Sequence, residues 1–292
     1  MSKKLRGGGV VPKRLKMFDK IPVIIGEIEE TISRNGGKAY LVGGCVRDEY
    51  LKIAPKDLDI EVFNLKQDKL ISILKSLASR IDLVGKSFGV IKIKIDDLDL
   101  DISIPRKEIK IADGHKGFDI ECDPFLSIEE AVSRRDFSIN GLMRDICGRK
   151  LVDVCNGVFD LDHRILRPIS EKFKEDPLRI LRGVQFAARF NLILDKTFIQ
   201  YAYDTIDSYQ ELPKERIWCE WEKFISKSVY PLAGIRALKQ SGWDKYYEYI
   251  FDVYSGSELR GDYKSECVLS KYARTVIYDS SIVIESLFFR KN

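Results

Sequence analysis

Residues 56–62, KDLDIEV, alternate acidic and aliphatic side chains, which predicts a β-strand whose two faces differ in chemistry. Side chains two positions apart lie on the same face of a strand, so Asp57, Asp59 and Glu61 are expected to form a row of carboxylates opposite an aliphatic face. Such a row is typical either of a half-buried strand with a solvated acidic face or of a cation site. This strand alone leaves both alternatives open.

A second alternating stretch, VIKIKIDDLDLDISI at residues 90–104, predicts a β-hairpin that turns at residues 96–97. A two-residue turn places two lysines of the first strand opposite two aspartates of the second: Lys94 opposite Asp99, and Lys92 opposite Asp101. Cross-strand ion pairs of this kind are sufficient to explain both aspartates without a bound metal.

The alternative is that the returning strand lies beside residues 56–62 in one sheet, which would bring several carboxylates together. Crowded carboxylates repel one another, and a divalent cation with oxygen ligands, such as Mg2+, would relieve this repulsion. Two magnesium ions held by two or three carboxylates can activate an attacking hydroxyl and stabilise a leaving pyrophosphate. In this arrangement the acidic strands indicate nucleotidyl or phosphoryl transfer.

A short strand, a glycine turn and the start of a helix precede the acidic strands. The apolar run KAYLV, residues 38–42, predicts a strand that ends at Gly43 and Gly44, and VRDEYL then begins a helix. Backbone N–H groups in such a turn and the positive end of the helix favour an anion, and Arg47 is close enough to help hold a phosphate. A lone pair of glycines is weak evidence, so this phosphate site depends on the neighbouring motifs.

The composition limits the class of protein. The chain has 292 residues, of which 45% are hydrophobic, so it can bury a sizeable core and is expected to hold about two domains. A net charge of +4 permits a polyanionic partner without requiring one. Six cysteines without CxxC spacing favour reduced thiols and a cytoplasmic protein. No apolar run approaches the roughly 20 residues of a membrane span, so no membrane partner is expected.

Six stretches resemble, in order and spacing, the motifs of the class II tRNA nucleotidyltransferases and bacterial poly(A) polymerases. They span roughly residues 40–222 and are LVGGCVRDEYL, PKDLDIEV, SRRDFSINGL, DVCNGVFDL, EDPLRILRGVQFAARF and LPKERIWCEWEK. The resemblance implies a template-independent, magnesium-dependent enzyme that uses CTP and ATP to extend the 3′ end of tRNA or another RNA, and CCA addition to tRNA is its most specific implication.

The resemblance also implies roles for individual residues. The carboxylates implied to bind the metal and act in catalysis are Asp57, Asp59 and Asp101. The residues implied to hold the triphosphate of the nucleotide are Gly43, Gly44 and Arg47, and those implied to contact its ribose and phosphates are Arg135 and Asp136. No role is implied for Glu61 or Asp99. From the residues themselves, RRDFSINGL predicts a capped helix whose basic lead-in, including Arg134, is exposed.

Asp176 and Arg179 lie three residues apart, so on a helix they share a face and can contact one base edge. A carboxylate accepts hydrogen bonds and a guanidinium donates them, which suits the amino group and ring acceptor of cytosine and adenine. Guanine and uracil present the reverse polarity and would be rejected. The alternative is structural: Asp176 before Pro177 is typical of a helix N-cap, and Arg182, grouped here with the nucleotide-binding residues, would then belong to a solvated face.

These observations predict an α+β protein in which a nucleotidyltransferase head with a mixed β-sheet is followed by an all-α neck and a short helical body. The predicted segments are a flexible basic tail (residues 1–20), the catalytic head (21–165), a neck that recognises the base (166–225) and a body that binds RNA (226–292). Because few residues follow the last motif, RNA is expected to be held mainly through phosphate contacts of four basic residues: Lys172, Lys174, Lys214 and Arg216.

Alternatives come from two classes. Within enzymes, the shared motifs do not separate CCA addition from CC addition, A addition or poly(A) synthesis. Outside enzymes, the chain could be a non-catalytic RNA-binding relative, although the intact set of Asp57, Asp59 and Asp101 argues against a loss of catalysis. The sequence makes no prediction of the oligomeric state.

Overall fold

The computed structural model describes residues 23–55, 57–77, 80–84, 90–95, 98–110 and 118–247. Three predicted features lie outside the described residues: the tail at residues 1–20, the turn at residues 96–97, and the part of the body after residue 247. The chain divides into two compact units between Phe159 and Asp160. The boundaries of the predicted head, neck and body stay predictions.

The first unit combines helices with β-strands. Its helices are α1 (Val23–Arg34), α2 (Gly44–Tyr50), α3 (Gln67–Lys75), α4 (Ile128–Ser133) and α5 (Gly157–Asp162), the last of which continues across the division. Its strands are β1 (Lys38–Val42), β2 (Leu58–Phe63), β3 (Arg80–Val84), β4 (Val90–Ile95), β5 (Leu98–Ser103), β6 (Arg106–Lys110), β7 (Phe118–Cys122), β8 (Met143–Asp145) and β9 (Leu151–Val152).

Seven of the described strands form one sheet, in the order β3-β4-β5-β2-β1-β8-β9, and β6 pairs with β7 separately. Strands β2 and β5 are parallel, whereas the other neighbours in the large sheet are antiparallel. The mixed sheet confirms the predicted α+β class.

The alternating pattern of the sequence corresponds to burial in the sheet. Ile60 and Val62 of β2 are fully buried, as the aliphatic half of KDLDIEV predicts. The strand predicted from KAYLV is β1, with the predicted bounds. Helix α1 buries Ile25, Ile28 and Ile32, whose three- and four-residue spacing forms one helical face. Burial of these aliphatic side chains is the main force that holds the sheet and its helices together.

The predicted hairpin is present as β4 and β5, which pair antiparallel with Lys94 opposite Asp99 and Lys92 opposite Asp101. The prediction for RRDFSINGL is wrong in its secondary structure. A helix capped by Ser127 and Glu130 precedes this motif and ends at Ser133, and the motif itself holds only a short 3-10 helix at Ser138–Asn140. The capping signal therefore belongs to α4, upstream of the two arginines.

The second unit is mainly helical. Its α-helices are α6 (Leu178–Phe190), α7 (Lys196–Asp204), α8 (Lys214–Lys227) and α9 (Pro231–Gln240), and 3-10 helices lie at Glu171–Glu175, Ile206–Glu211 and Trp243–Tyr246. Helix α6 packs against α8 and α9. A two-residue parallel ladder of β10 (Ile165–Leu166) and β11 (Ile193–Leu194), which the sequence did not predict, also lies here. No helix in the described part of the chain is long and apolar enough to cross a membrane.

Candidate active site

Two aspartates from different acidic motifs lie side by side in the sheet. Strands β2 and β5 run parallel with Asp59 in register with Asp101. Residues in register on neighbouring strands project from the same face, so both carboxylates lie on one side of the sheet. The aliphatic partners Ile60 and Ile102, one position further along, are fully buried on the other face. The sheet thus produces the predicted crowding of carboxylates.

The ion pair proposed as the alternative to a metal site is present as well. Lys92 Nζ lies 2.9 Å from both carboxylate oxygens of Asp101. The ion pair and the crowded carboxylates therefore occur in the same structure, because Asp101 has Lys92 on one neighbouring strand and Asp59 on the other. The sequence alone could not show this, since it did not reveal which strand lies beside β5.

The protonation of Asp59 reflects this crowding. Burial raises the pKa of the Asp59 carboxyl above its ordinary value, and the negative charges of Asp101 and Asp57 raise it further. The positive charges of Arg135 and Lys92 act in the opposite direction. A carboxylate with a raised pKa is one that an added cation would stabilise in its ionised form.

Asp57 is exposed and lies just before β2. Within the described ranges, no group of three or more His, Cys, Asp or Glu side chains is arranged to hold a metal ion. The structure therefore brings together the Asp59–Asp101 pair, with the Lys92 ammonium beside it, and the three-carboxylate metal set stays a prediction.

The glycine turn lies beside an arginine of the SRRDFSINGL motif. Gly43 has a φ of 71°, a left-handed conformation that glycine adopts without strain, and α2 begins at Gly44. A Cβ atom on Gly43 would lie 3.3 Å from Arg135 Nη1, so this glycine also allows the guanidinium to approach the backbone. Two of the predicted phosphate-binding elements, the turn and Arg135, are thus adjacent.

Arg47 is buried in a hydrogen-bond network rather than directed to solvent. Its Nε and Nη2 donate to Asp48 Oδ1 at 2.9 and 2.6 Å, and its Nη1 donates to Asn140 Oδ1. Asn140 Nδ2 in turn donates to Asp136 Oδ1 at 2.9 Å. In this structure Arg47 and Asp136 join the glycine-turn helix to the SRRDFSINGL motif, while their predicted contacts with the nucleotide stay predictions.

Glu61, for which the resemblance implied no role, binds both arginines of that motif. Its carboxylate is 1% exposed, and its Oε2 accepts a hydrogen bond from Arg135 Nη2 at 2.8 Å. Arg134 Nη2 lies 3.6 Å from Glu61 Oε1. The prediction that Arg134 is part of an exposed lead-in is wrong, because its side chain is only 17% exposed. Buried charges require partners, and Glu61 is the partner here.

Sequence reasoning predicted the Lys92–Asp101 ion pair but missed three residues that organise the site: Glu61, Asp48 and Asn140. A signal existed for Glu61, which shares the face of Asp57 and Asp59 in KDLDIEV. The Arg47–Asn140 contact joins residues 93 positions apart, and no local pattern predicts a contact of that range.

The predicted base-recognition pair lies at the start of α6 in the second unit. Asp176 Oδ1 accepts a hydrogen bond from Leu178 N at 3.3 Å, which agrees with the capping alternative. Its Oδ2 accepts a hydrogen bond from Arg216 Nη2 at 2.7 Å. Arg179 Nη1 donates to the Lys172 carbonyl oxygen at 2.8 Å. Both members of the pair therefore have protein partners in this structure, and their contacts with a base stay predictions.

The other basic residues predicted to bind nucleotide or RNA differ in their surroundings. Arg182 is exposed, with its guanidinium 5.5 Å from the centre of the Phe186 ring. Lys174 lies 3.5 Å from an Asp204 carboxylate oxygen and 5.0 Å from the Tyr201 ring centre. Lys172 and Lys214 are exposed. Arg216, also predicted to contact phosphate, forms an ion pair with Asp176.

Comparison with protein families and curated proteins gave two findings. Residues 39–167 match the family model of the poly(A) polymerase head domain. The chain is 34% identical over 210 residues to the multifunctional CCA protein of Pasteurella multocida. The aligned region covers 70% of this chain and 48% of that protein. The chain spans about half the length of the curated relatives it matches.

Solved structures share the fold. The crystal structure of Bacillus stearothermophilus CCA-adding enzyme in complex with CTP has a TM-score of 0.63 at 24% identity, covering 75% of this chain and 52% of that chain. The Thermotoga maritima CCA-adding enzyme complexed with tRNA has a TM-score of 0.64 at 20% identity, covering 93% of this chain and 64% of that chain.

Proposed function

We propose that the chain is a member of the class II family of CCA-adding enzymes and bacterial poly(A) polymerases, and that it adds C and A from CTP and ATP to the 3′ end of tRNA, releasing pyrophosphate. Curated proteins similar to the chain are named as multifunctional CCA proteins or CCA-adding enzymes, and structures with the same fold have been solved in complex with CTP or tRNA. The chain spans about half the length of its curated relatives, so its own activity, substrates and partners are all part of this proposal.

The observation that carries the proposal is the in-register pair of Asp59 and Asp101 on neighbouring parallel strands. Nucleotidyl transfer requires carboxylates that converge on the attacking hydroxyl and the reacting phosphate. The pair lies in the same unit as the glycine turn and Arg135, whose positive charge acts on Asp59. The carboxylate pair and the groups proposed to bind phosphate thus lie in one unit, which supports this reaction.

The residues fit Mg2+. The donors are carboxylate oxygens, Asp101 and Asp57 raise the pKa of Asp59, and the Lys92 ammonium already stands beside Asp101 as a cation. We propose that Asp59 and Asp101 hold Mg2+ with Asp57 as the third carboxylate. Bound Mg2+ would supply Lewis-acid stabilisation of the reacting phosphate and lower the pKa of the attacking hydroxyl.

The residues of the chain itself position the nucleotide. The Gly43 N–H already donates to the Leu142 carbonyl oxygen at 3.1 Å, so the backbone N–H groups proposed to bind the triphosphate are those that follow it, from Gly44 onward. Arg135, held by Glu61, brings a fixed positive charge close to this turn. A guanidinium that is already oriented loses little side-chain entropy when a phosphate binds. Arg47 and Asp136 keep this region in place through Asn140, and Asp136 is proposed to reach the ribose.

Base selection is assigned to Asp176 and Arg179, with Arg182 nearby on the same helix. Asp176 would accept from the amino group of cytosine or adenine, and Arg179 would donate to the ring acceptor. Arg179 Nη1 donates to the Lys172 carbonyl oxygen in this structure, so a base that binds through Nη1 would replace that carbonyl as the acceptor. Uracil and guanine would place a ring N–H donor against the Arg179 donors, so the site is proposed to reject these two bases.

The remaining parts of the proposal concern RNA and organisation. The head, neck and body segments (21–165, 166–225 and 226–292) are proposed to catalyse transfer, recognise the base and bind RNA, respectively. Lys172, Lys174 and Lys214 are proposed to contact RNA phosphates. The protein is also proposed to act in the cytoplasm.

The experiment that tests the function is incubation of the chain with tRNAs lacking the terminal A, CA or CCA, offering each nucleotide singly and in combination with Mg2+. CCA addition predicts products that stop after the completed CCA end. Products that stop after CC, that form only from CC-ended tRNA, or that extend into long A tails would assign the partial or poly(A) activities instead. Absence of any product with all four nucleotides would favour a non-catalytic relative.

A further inference from the structure

Lys92 stands where a cation would neutralise the carboxylate pair. Its Nζ is equidistant, at 2.9 Å, from both oxygens of Asp101, and Asp101 lies in register with Asp59 on the next strand. Both oxygens through which Asp101 would bind a metal therefore already accept from the Lys92 ammonium. Lys92 also acts electrostatically on Asp59 and Asp57, so its positive charge is felt by all three predicted ligands.

Stability of the fold is a poor explanation for this contact. The side chains of Lys92 and Asp101 are 51% and 42% exposed, and exposed pairs of this kind contribute little to folding. The same contact has a larger effect on a metal ion. An ammonium and a divalent cation cannot occupy the same side of one carboxylate, because both are positive and both need its oxygens.

We propose that Lys92 is the internal counter-cation of the Asp59–Asp101 pair, and that a divalent metal binds the pair by displacing the Lys92 ammonium from Asp101. This inference rests on the metal role of the pair in the proposed function. In this proposal Lys92 controls the affinity for the metal. Metal binding must break the Lys92–Asp101 ion pair, and the free energy lost with that pair weakens the binding.

The displaced ammonium also links metal binding to nucleotide binding. A metal that arrives alone leaves Lys92 beside a second positive charge without a compensating anion. A metal that arrives with a triphosphate brings oxygens with which the displaced ammonium can pair. Lys92 therefore lowers the affinity of the site for the free metal ion more than its affinity for the metal–nucleotide complex. A neutral residue at position 92 should bring these two affinities closer together.

The test measures binding of Mn2+ to the full chain without nucleotide, from the electron paramagnetic resonance signal of free Mn2+. Lys92→Met and Lys92→Gln should each bind Mn2+ about tenfold more tightly than the unaltered chain, the order expected for removing one positive charge a few ångströms from a divalent ion in an exposed site. Lys92→Arg keeps the charge and should bind Mn2+ as the unaltered chain does.

Lys107→Met is the matched control. Lys107 Nζ is also held by two carboxylates, at 3.3 Å from Glu121 and 3.4 Å from Asp123, but it lies on β6 of the separate two-stranded sheet. This variant loses the same charge and the same kind of contact, so it should leave the affinity for Mn2+ unchanged. Thermal melting checks that every variant is folded.

Equal Mn2+ affinities of Lys92→Met, Lys92→Gln and Lys107→Met would overturn the inference. Asp101→Asn separates this failure from failure of the proposed function. If Asp101→Asn loses Mn2+ while the neutral Lys92 variants bind like the control, the carboxylate pair holds metal and only the Lys92 inference is wrong. If no folded variant that retains both carboxylates binds Mn2+ at millimolar concentration, the metal role and the Lys92 inference are both wrong.

Discussion

Arg216 Nη2 lies 2.7 Å from Asp176 Oδ2, which joins the start of α6 to the start of α8 across 40 positions of the sequence. Asp176 Oδ1 meanwhile accepts from the backbone of Leu178. The carboxylate is thus held from two directions. Arg216 thus contacts the predicted base acceptor, whereas the sequence predicts a phosphate contact for it.

Substitution of Arg216 distinguishes these two roles. If Arg216 orients Asp176, Arg216→Ala should weaken the preference for CTP and ATP over UTP and GTP, with little change in tRNA affinity. A phosphate contact would instead weaken tRNA binding for every sequence and reduce the slope of log K against log salt by about 1. Lys214→Ala, in the same turn of α8, is the control expected to change the salt slope without changing nucleotide preference.

Asp176→Ala tests base recognition directly. Removing the acceptor should lower discrimination against UTP and GTP together with the rate, because a mispaired group in a desolvated site costs about 1–3 kcal/mol. The lost contact to Leu178 N is expected to cost about 1 kcal/mol of stability. Single-nucleotide incorporation with each of the four triphosphates gives the preference, and a thermal melt measures the stability. A folded variant that keeps the original preference would show that Asp176 only caps α6.

Asp59→Asn should abolish transfer and stabilise the metal-free chain at neutral pH. The pKa of Asp59 is raised in the folded protein by burial first and by Asp101 next. An acid with a raised pKa favours folding in its protonated form, and that contribution is lost as the pH rises through the folded pKa. The gain from Asn should therefore be present at neutral pH and disappear as the pH falls towards the ordinary Asp value.

The measurement for Asp59→Asn is the melting temperature as a function of pH, with EDTA present. Asp99→Asn is the control, since Asp99 is exposed and faces Lys94 on the neighbouring strand. A variant at position 59 that is less stable than the parent at neutral pH, or that keeps full activity, would contradict the assignment.

Glu61→Ala should destabilise the first unit. The substitution leaves Arg134 and Arg135 without their shared carboxylate in a place where their side chains are 17% and 16% exposed. Breaking a buried ion pair by removing one partner costs about 3–5 kcal/mol, and water near the two arginines should keep the cost at the low end, about 3 kcal/mol. Denaturant unfolding measures the change in free energy.

The Glu30–Arg34 pair on α1 offers a comparison for Glu61. It is also an acid–arginine contact, at 2.5 Å, but both side chains are largely exposed. Glu30→Ala should change the free energy of unfolding by at most about 0.5 kcal/mol. If Glu30→Ala and Glu61→Ala had similar effects, burial would not be the reason for the importance of Glu61.

The sequence determined the local elements of this protein. Alternation in KDLDIEV and in residues 90–104 predicts β2 and the β4–β5 hairpin, because the two-residue period of a strand decides which side chains share a face. Glycines after an apolar run predict the turn at Gly43, since glycine tolerates the positive φ found there. Each of these features depends on residues that are neighbours in the chain.

The tertiary structure alone decided which of these elements meet. The parallel pairing of β2 with β5 places Asp59 beside Asp101, and it turns two separate acidic strands into one site with Lys92 as its cation. Burial of Glu61 between two arginines and the contact of Arg216 with Asp176 arise in the same way. Such contacts depend on the packing of distant segments, and a charged residue shows the same local pattern whether it later meets solvent, a metal or another charge.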